Sequence, residues 1–528
     1  MPVADRNDTL RLLVSQTKGK LPLMGEDQFN WNGGQNSWMH PTEIEENQAQ
    51  FLIGADLSKP GVVQRRLGLG THKFDRGSFR IRDMVRFKPS AGTQVVAGIE
   101  GVNFFTWPGS GAETVQDSGF VSNVRTRLVA GDDRVMITNG NDNVHTWNGS
   151  VMTDEADTNT DPPKCKILLF LKSANRMIAF NTTANPDGMW WSNADDIQTW
   201  ARATNVRYIG QDGDDITGAF LWTDDAMLVF KRRAIYLVDV SDSNPANWVI
   251  NMIADGIGCV ADRSVKQFGE DVFFLSDDGV RSVIQSAQDK KRGASDPVSK
   301  PIDDYIARIN WQYAPEAVGF IWKDAYHLAV PLDTSTTNSA LLSCWRESIP
   351  LKVPRRWAVD EVLSIGAFAI TDFNDVAELY VGRDDADGKV YEGFAPDIFN
   401  DGGSGISWTL ESRRLQFNEP KLDKWFQDVE IKAETTGAET LTVSAQVDGG
   451  GYTELGTMSL ASSSPALPQD LPFNLAADVR VTKKFSLRGL GWGRDVQIKI
   501  TGSTVDIAIK ILGMAVTAYL IPYRRKTS

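Results

Sequence analysis

The chain has 528 residues, 41% of them hydrophobic and 23% charged. That is a globular balance, sufficient for roughly two to four domains and without a compositional basis for extended disorder. The formal charge of −13 is uneven, with balances of +3 over residues 1–90, −9 over 91–300 and −7 beyond; this argues against tight phosphate-backbone binding, which needs clustered Lys and Arg.

In chain order, residues 1–8 are polar and lack the apolar core of a signal peptide. Residues 1–90 read as an N-terminal extension with a docking segment. It contains Asn32-Gly33-Gly34-Gln35-Asn36, then residues 43–52, whose pattern is compatible with a helix. Residues 91–400 are nearly devoid of long helical patterns. Short Val/Ile/Phe/Tyr/Trp runs alternate there with Gly, Asp, Asn and Pro, which predicts an all-β fold. Thr106-Trp107-Pro108-Gly109-Ser110 recurs forty positions later as Thr146-Trp147-Asn148-Gly149-Ser150. Strand candidates follow at 189–192, 234–238, 272–280, 325–330 and 378–382, the third of them running through a tight Asp-Gly turn. A period of about 40–50 residues with an aromatic in each unit matches the blades of a β-propeller. A lone blade exposes its faces and edges, and a ring of blades buries the faces against one another. The sixteen tryptophans are therefore expected in the wedges between blades.

Asp401-Gly402-Gly403-Ser404-Gly405 reads as a linker, and residues 405–528 as a C-terminal β-sandwich. Residues 441–447 alternate cleanly and end at Asp448 and three glycines, and residues 496–500 and 505–511 alternate likewise. The late apolar stretch, 511–522, is shorter than the ~18 residues of a membrane span, so no membrane anchor is expected. Cys165, Cys259 and Cys344 form neither a disulfide framework nor a Cys-x-x-Cys clip. They suit a reducing cytoplasm, where buried thiols act as small hydrophobes.

Three places resemble the tail nozzle (tail tubular, or tail stabilisation) proteins of short-tailed bacteriophages. The first is Phe29 with Gly33, Gly34 and Asn36, followed by Asn47 in Asn47-Gln48-Ala49-Gln50 and by Arg66 and Gly68 in Arg65-Arg66-Leu67-Gly68. The second is Gly256-Ile257-Gly258-Cys259 with the run ending in Ser276, Asp278 and Gly279. The third is the alternation of 413–447 and 494–511. Gln35 departs from the family pattern, which has an apolar residue there. The resemblance implies a structural virion protein, not an enzyme, assembled in the host cytoplasm. It implies a homo-oligomer, a hexameric ring docked on the tail adaptor ring, with tail fibres or tailspikes as further neighbours. Double-stranded DNA would leave through its channel without sequence-specific binding. The acidic excess of 91–300 fits such a wall, and Asp212, Asp214, Asp215, Asp224 and Asp225 are candidate channel or loop acids.

Catalytic chemistry is not legible. His40, His72, His145 and His327 have no ligand spacing, and no nucleophile elbow, Walker loop or His-Glu-x-x-His pattern occurs. No metal and no cofactor is expected. Residues 211–216 lack the spacing of a calcium loop and its closing Glu. The Asp clusters, including Asp384, Asp385 and Asp387, sit beside Gly or between strands, where Asp favours turns. Propellers also host glycosidases, which use two carboxyls about 5–10 Å apart, so a glycan-binding or glycan-cleaving propeller is the alternative. Residues 153–163 and 288–293 are candidate interaction loops, the second with a solvated turn as its ordinary reading.

Overall fold

A computed structural model describes residues 22–521, apart from 78, 123, 211–212, 293–294, 347–354, 374, 386, 461–478 and 504. The fold is all-β, as the alternation of short apolar runs and turn residues predicts. It forms two compact units. One comprises Leu69–Arg346 and Asp360–Ala395; the other comprises Met1–Gly68, Glu347–Val359 and Pro396–Ser528.

The first unit is a β-propeller of six small sheets. Blade 1 is built from Ile81–Phe87, Val95–Glu100, Asn103–Trp107 and Thr114–Ser118. Blade 2 runs from Arg127–Gly131 to Met152–Asp154, blade 3 from Cys165–Leu171 to Asp196–Trp200, and blade 4 from Ile216–Thr223 to Val249–Asp255. Blade 5 has three strands, Lys266–Phe268, Asp271–Ser276 and Gly279–Ser282. An antiparallel meander, Val318–Trp322, Ala325–Val330 and Ala340–Trp345, follows it in the chain. Blade 6 takes Ala367–Thr371, Glu378–Gly382 and Lys389–Glu392. Its outer strand comes from before blade 1: His72–Asp75 pairs antiparallel with Lys389–Glu392. The ring is thus closed by strand exchange between its two chain ends, which removes an exposed edge.

Apolar clusters lie between successive blades. Phe87, Phe104, Val135 and Trp147 join blades 1 and 2; Met136, Leu168, Met177 and Trp190 join blades 2 and 3. Phe74, Phe105, Trp107 and Tyr380 join blades 6 and 1. The repeated tryptophans are therefore equivalent wedges. Trp107 and Trp147 both end the third strand of their blades, and each ring meets aromatic neighbours with centroids about 5.0–5.7 Å away. The glycines two residues later, Gly109 and Gly149, have φ of +91° and +99°, a conformation that strains any residue with a Cβ. Cys165 and Cys259 are fully buried, and burial pushes both thiols up to about 12.

The second unit is a β-sandwich, and its boundaries differ from the sequence expectation. One sheet contains Asp423–Thr435, Val479–Ser486 and Ile509–Ile521, with Leu23–Gln28 and Val63–Arg65 paired to the last of these. In the other, Gln48–Ile53 pairs with Trp408–Ser412, which continues to Val496–Gly502, Thr440–Val447 and Thr453–Ser459. Residues 22–68 are sandwich strands rather than a separate extension, and the propeller begins at Leu69, not residue 91. The helix-compatible stretch at 43–52 is a turn leading into a strand, because pairing on both sides and the complete burial of Ala49 and Leu52 override local propensity. The expected linker at 401–405 is a hairpin. Asn400 pairs with Gly405 and Asp401 with Ser404, and Gly402 and Gly403, both at positive φ, make its turn.

Candidate functional site

The residues of the N-terminal resemblance converge in the sandwich. Gly33 N–H donates to the Asn47 carbonyl at 2.9 Å, and Gly34 and Gln35 pair in parallel with Gln48 and Ala49. Gly34 has φ +67°, and a Cβ there would lie 2.9 Å from the Trp357 nitrogen. Asn36 Nδ2 donates to Gln48 Oε1 at 2.9 Å. Gln35, the departure from the family pattern, is fully buried, and its Oε1 accepts the Leu52 N–H at 3.0 Å. Arg65 forks onto Glu439 at 2.8 and 2.9 Å with both side chains sealed from solvent. Arg66 forks onto Asp401. Gly68 lies against Asn400, whose carbonyl would be 1.9 Å from any Cβ. Phe29 is partly exposed, with the Lys432 ammonium 4.9 Å from its ring centroid. These residues act by close backbone approach and buried pairing, not by presenting reactive groups.

In the propeller, Ser276 pairs with Gly279 across a tight hairpin, and Asp278 holds Arg281 Nε at 2.8 Å. A Cβ at Gly279 would meet Ser299 Oγ at 2.5 Å. Asp214 and Asp215 precede the first strand of blade 4, and Asp224 and Asp225 form the exposed turn after it. That eight-residue strand separates the two pairs by roughly 25 Å at about 3.3 Å per residue, so they do not form one cluster. Asp212 lies outside the described residues. Loop 153–163 is pinned by Arg202, which reaches Asp157 at 2.6 Å and the Asp161 carbonyl at 2.7 Å. Arg202, Asp157, Lys164 and Trp190 line a cavity of about 320 Å³. Residues 288–292 end a helix, Val283–Arg292, rather than form a turn; Gly293 lies outside the described residues.

A charged constellation that sequence reasoning missed lies where the chain enters the first strands of the blades. First strands of neighbouring blades pack on one another, so residues at their starts converge on the propeller axis. Arg82 and Asp83 come from blade 1, Arg125 and Arg127 from blade 2, and Asp262, Arg263 and Lys266 from the entrance of blade 5. Arg125 and Arg127 clasp the two oxygens of Asp262. Burial would raise the Asp262 carboxyl, but these arginines outweigh it and hold it below the usual carboxylate range. Arg263 reaches Asp83 at 2.6 Å, and the Asp83 oxygens also accept the Met84 and Leu128 N–H groups at 3.0 and 2.9 Å. Arg82 faces Glu316 at 3.7 Å. Asp384 accepts the Asn338 N–H at 2.6 Å, and its burial pushes the carboxyl up to about 6. Arg82-Asp83, Asp262-Arg263 and Arg383-Asp384 are adjacent opposite charges beside strand ends, the one sequence signal that could have revealed the constellation.

Among the described residues, no group of three or more His, Cys, Asp and Glu is arranged to hold a metal ion, and no helix is long and apolar enough to cross a membrane. His327 is buried, stacked on Phe320 and Phe394 and bonded to Ser343 at 2.8 Å.

No known protein family matches the sequence, and no curated protein matches it. Solved structures give remote likenesses. The computationally designed Ika8 protein is 11% identical, with 62% of this chain and 99% of that one covered at a TM-score of 0.35. The exo-beta-1,3-galactanase of Phanerochaete chrysosporium, solved with galactose, is 9% identical over 85% and 100% at 0.27. Hsv2 of Kluyvelomyces marxianus is 10% identical over 53% and 97% at 0.26. With TM-scores this low, none of them bears on what the protein does.

Proposed function

We propose that the chain is a structural subunit of a short-tailed phage tail, the nozzle, which forms a ring around the DNA exit channel, retains the genome and then passes it during ejection. The observation that carries this reading is the role of the resemblance residues. Gly33, Gly34, Asn36, Asn47, Arg66 and Gly68 are spread over almost forty positions, yet they act together as close-packed and paired parts of the sandwich. Residues that serve such backbone fit suit a protein whose work is to hold a shape. The inner acids also favour a structural role, because Asp83 and Asp262 are held by arginines.

Electron microscopy of particles labelled with antibodies against the protein tests the proposal. Label confined to the tail tip is expected. Absence from particles would overturn it, and label on peripheral fibres would transfer the protein to receptor binding.

A second reading, a glycan-binding or glycan-cleaving propeller, draws on Glu316 and Asp384. Glu316 helps to raise the Asp384 carboxyl, although burial is the larger cause. A carboxyl raised to about 6 beside a second acid is the kind of pair from which a general acid is built. Asp384 is only 4% exposed, which leaves a sugar little access. Release of reducing sugar from a panel of polysaccharides would favour this reading over the structural one.

A further inference from the structure

Among the described residues, the charges that face one another at the propeller axis do not balance. Arg80, Arg82, Arg125, Arg127, Arg263 and Lys266 face Asp83, Asp262, Glu316 and Asp384, an excess of two cations. Asp262 is shared by Arg125 and Arg127, and Asp83 is taken by Arg263. No acid is left for Lys266. Among the described residues its ammonium makes no hydrogen bond or ion pair, and it lies 5.4 Å from the centroid of the Phe368 ring. Enclosure and the neighbouring Arg127 push Lys266 down to about 8, so the amine still carries its charge at pH 7. Lys266 is half-buried, so its charge is without a protein carboxylate of its own yet within reach of an ion from solvent.

We infer that the axial constellation binds a compact, multiply charged oxyanion of the phosphate class, with the Lys266 ammonium as its principal contact and the surrounding guanidinium groups as its cage. Three points select this class. The surplus is positive, so a cation is repelled. Guanidinium forks and an ammonium offer only donors, and a tetrahedral oxyanion offers only acceptors. The site is enclosed but not sealed: the Arg125 and Arg127 side chains are 25% and 19% exposed. Water and a small ion therefore reach it where a polymer would not.

The test is isothermal titration of the full-length protein with inorganic phosphate, with ionic strength held constant by chloride. Saturable one-site binding is expected. Lys266→Gln should weaken it by at least about tenfold, the loss of a charge-assisted contact. Lys266→Arg should stay within a few-fold of the wild type. In phosphate-free buffer Lys266→Gln should melt no lower than the wild type, because it removes an unpaired charge; this separates loss of binding from loss of fold. Should that variant not fold, Arg80→Gln is the second probe, with weaker binding expected. The proposal is overturned if the wild type takes up no phosphate beyond an ionic-strength effect, or if folded Lys266→Gln or Arg80→Gln binds it as the wild type does.

Discussion

Arg65 and Glu439 stand 374 positions apart, and both side chains are completely buried, joined by two hydrogen bonds with a third from Arg65 to the Ile507 carbonyl. Each charge there is compensated, and removing one partner of such a pair typically costs about 3–5 kcal/mol. Lys266 is the opposite case, a half-buried ammonium without a carboxylate of its own. Its pKa is about 8 in the folded chain against an ordinary value of 10.5. Between those values the unfolded chain binds the proton and the folded chain does not, so stability rises with pH across that window. Of the facing groups, Asp262 is held below the usual carboxylate range and Arg263 above the usual guanidinium value, so both keep their charges throughout it. Urea denaturation at pH 7.5 and 9.5 should show a gain on the order of 1–2 kcal/mol for the wild type in phosphate-free buffer. Lys266→Met should lose most of that gain, and an identical pH dependence in the two proteins would refute the assignment.

At the level of elements, the closing strand His72–Asp75 is the most informative. Only Phe74 of its four residues is buried, with Phe105 and Trp107 at ring distances of 5.5 and 5.4 Å. That side chain is the strand's contribution to the apolar cluster that joins blade 6 to blade 1. Phe74→Ala should therefore destabilise the protein by about 3–5 kcal/mol. Hydrogen exchange should accelerate first in Lys389–Glu392 and Ala367–Thr371, and uniform acceleration over all blades would argue that this closure is not a separable element. The strand also shows what was legible in the sequence. Blades with local hairpins were readable because alternation and Gly/Asp turns lie within forty residues, and Trp107 and Trp147 mark equivalent wedges. His72–Asp75 was not, since its partner is more than 300 positions away and four residues carry no period. The sandwich strands at 23–65 were hidden for the same reason. The axial charges were hidden because they come from separate strand starts and meet only when the ring closes.

For the whole molecule, the decisive surface in the nozzle proposal is the wall that DNA passes. Duplex DNA carries one negative charge per about 1.7 Å, so a wall of lysines would hold it by many weak contacts, and an acidic wall would let it slide. Asp214 and Asp215 stand at one end of the first strand of blade 4, and Asp224 and Asp225 at the other. The pairs occupy opposite faces of the propeller, so only one face can border a given stretch of channel. Lysine at Asp214 and Asp215 in one phage, and at Asp224 and Asp225 in another, should therefore act unequally. The wall-side pair should slow genome release measured by dye uptake from single particles, more strongly at low salt, where screening is weakest. The other pair should leave it unchanged. Equal slowing by both would point to a general effect of net charge on assembly, and no slowing by either would place the acids away from the DNA path.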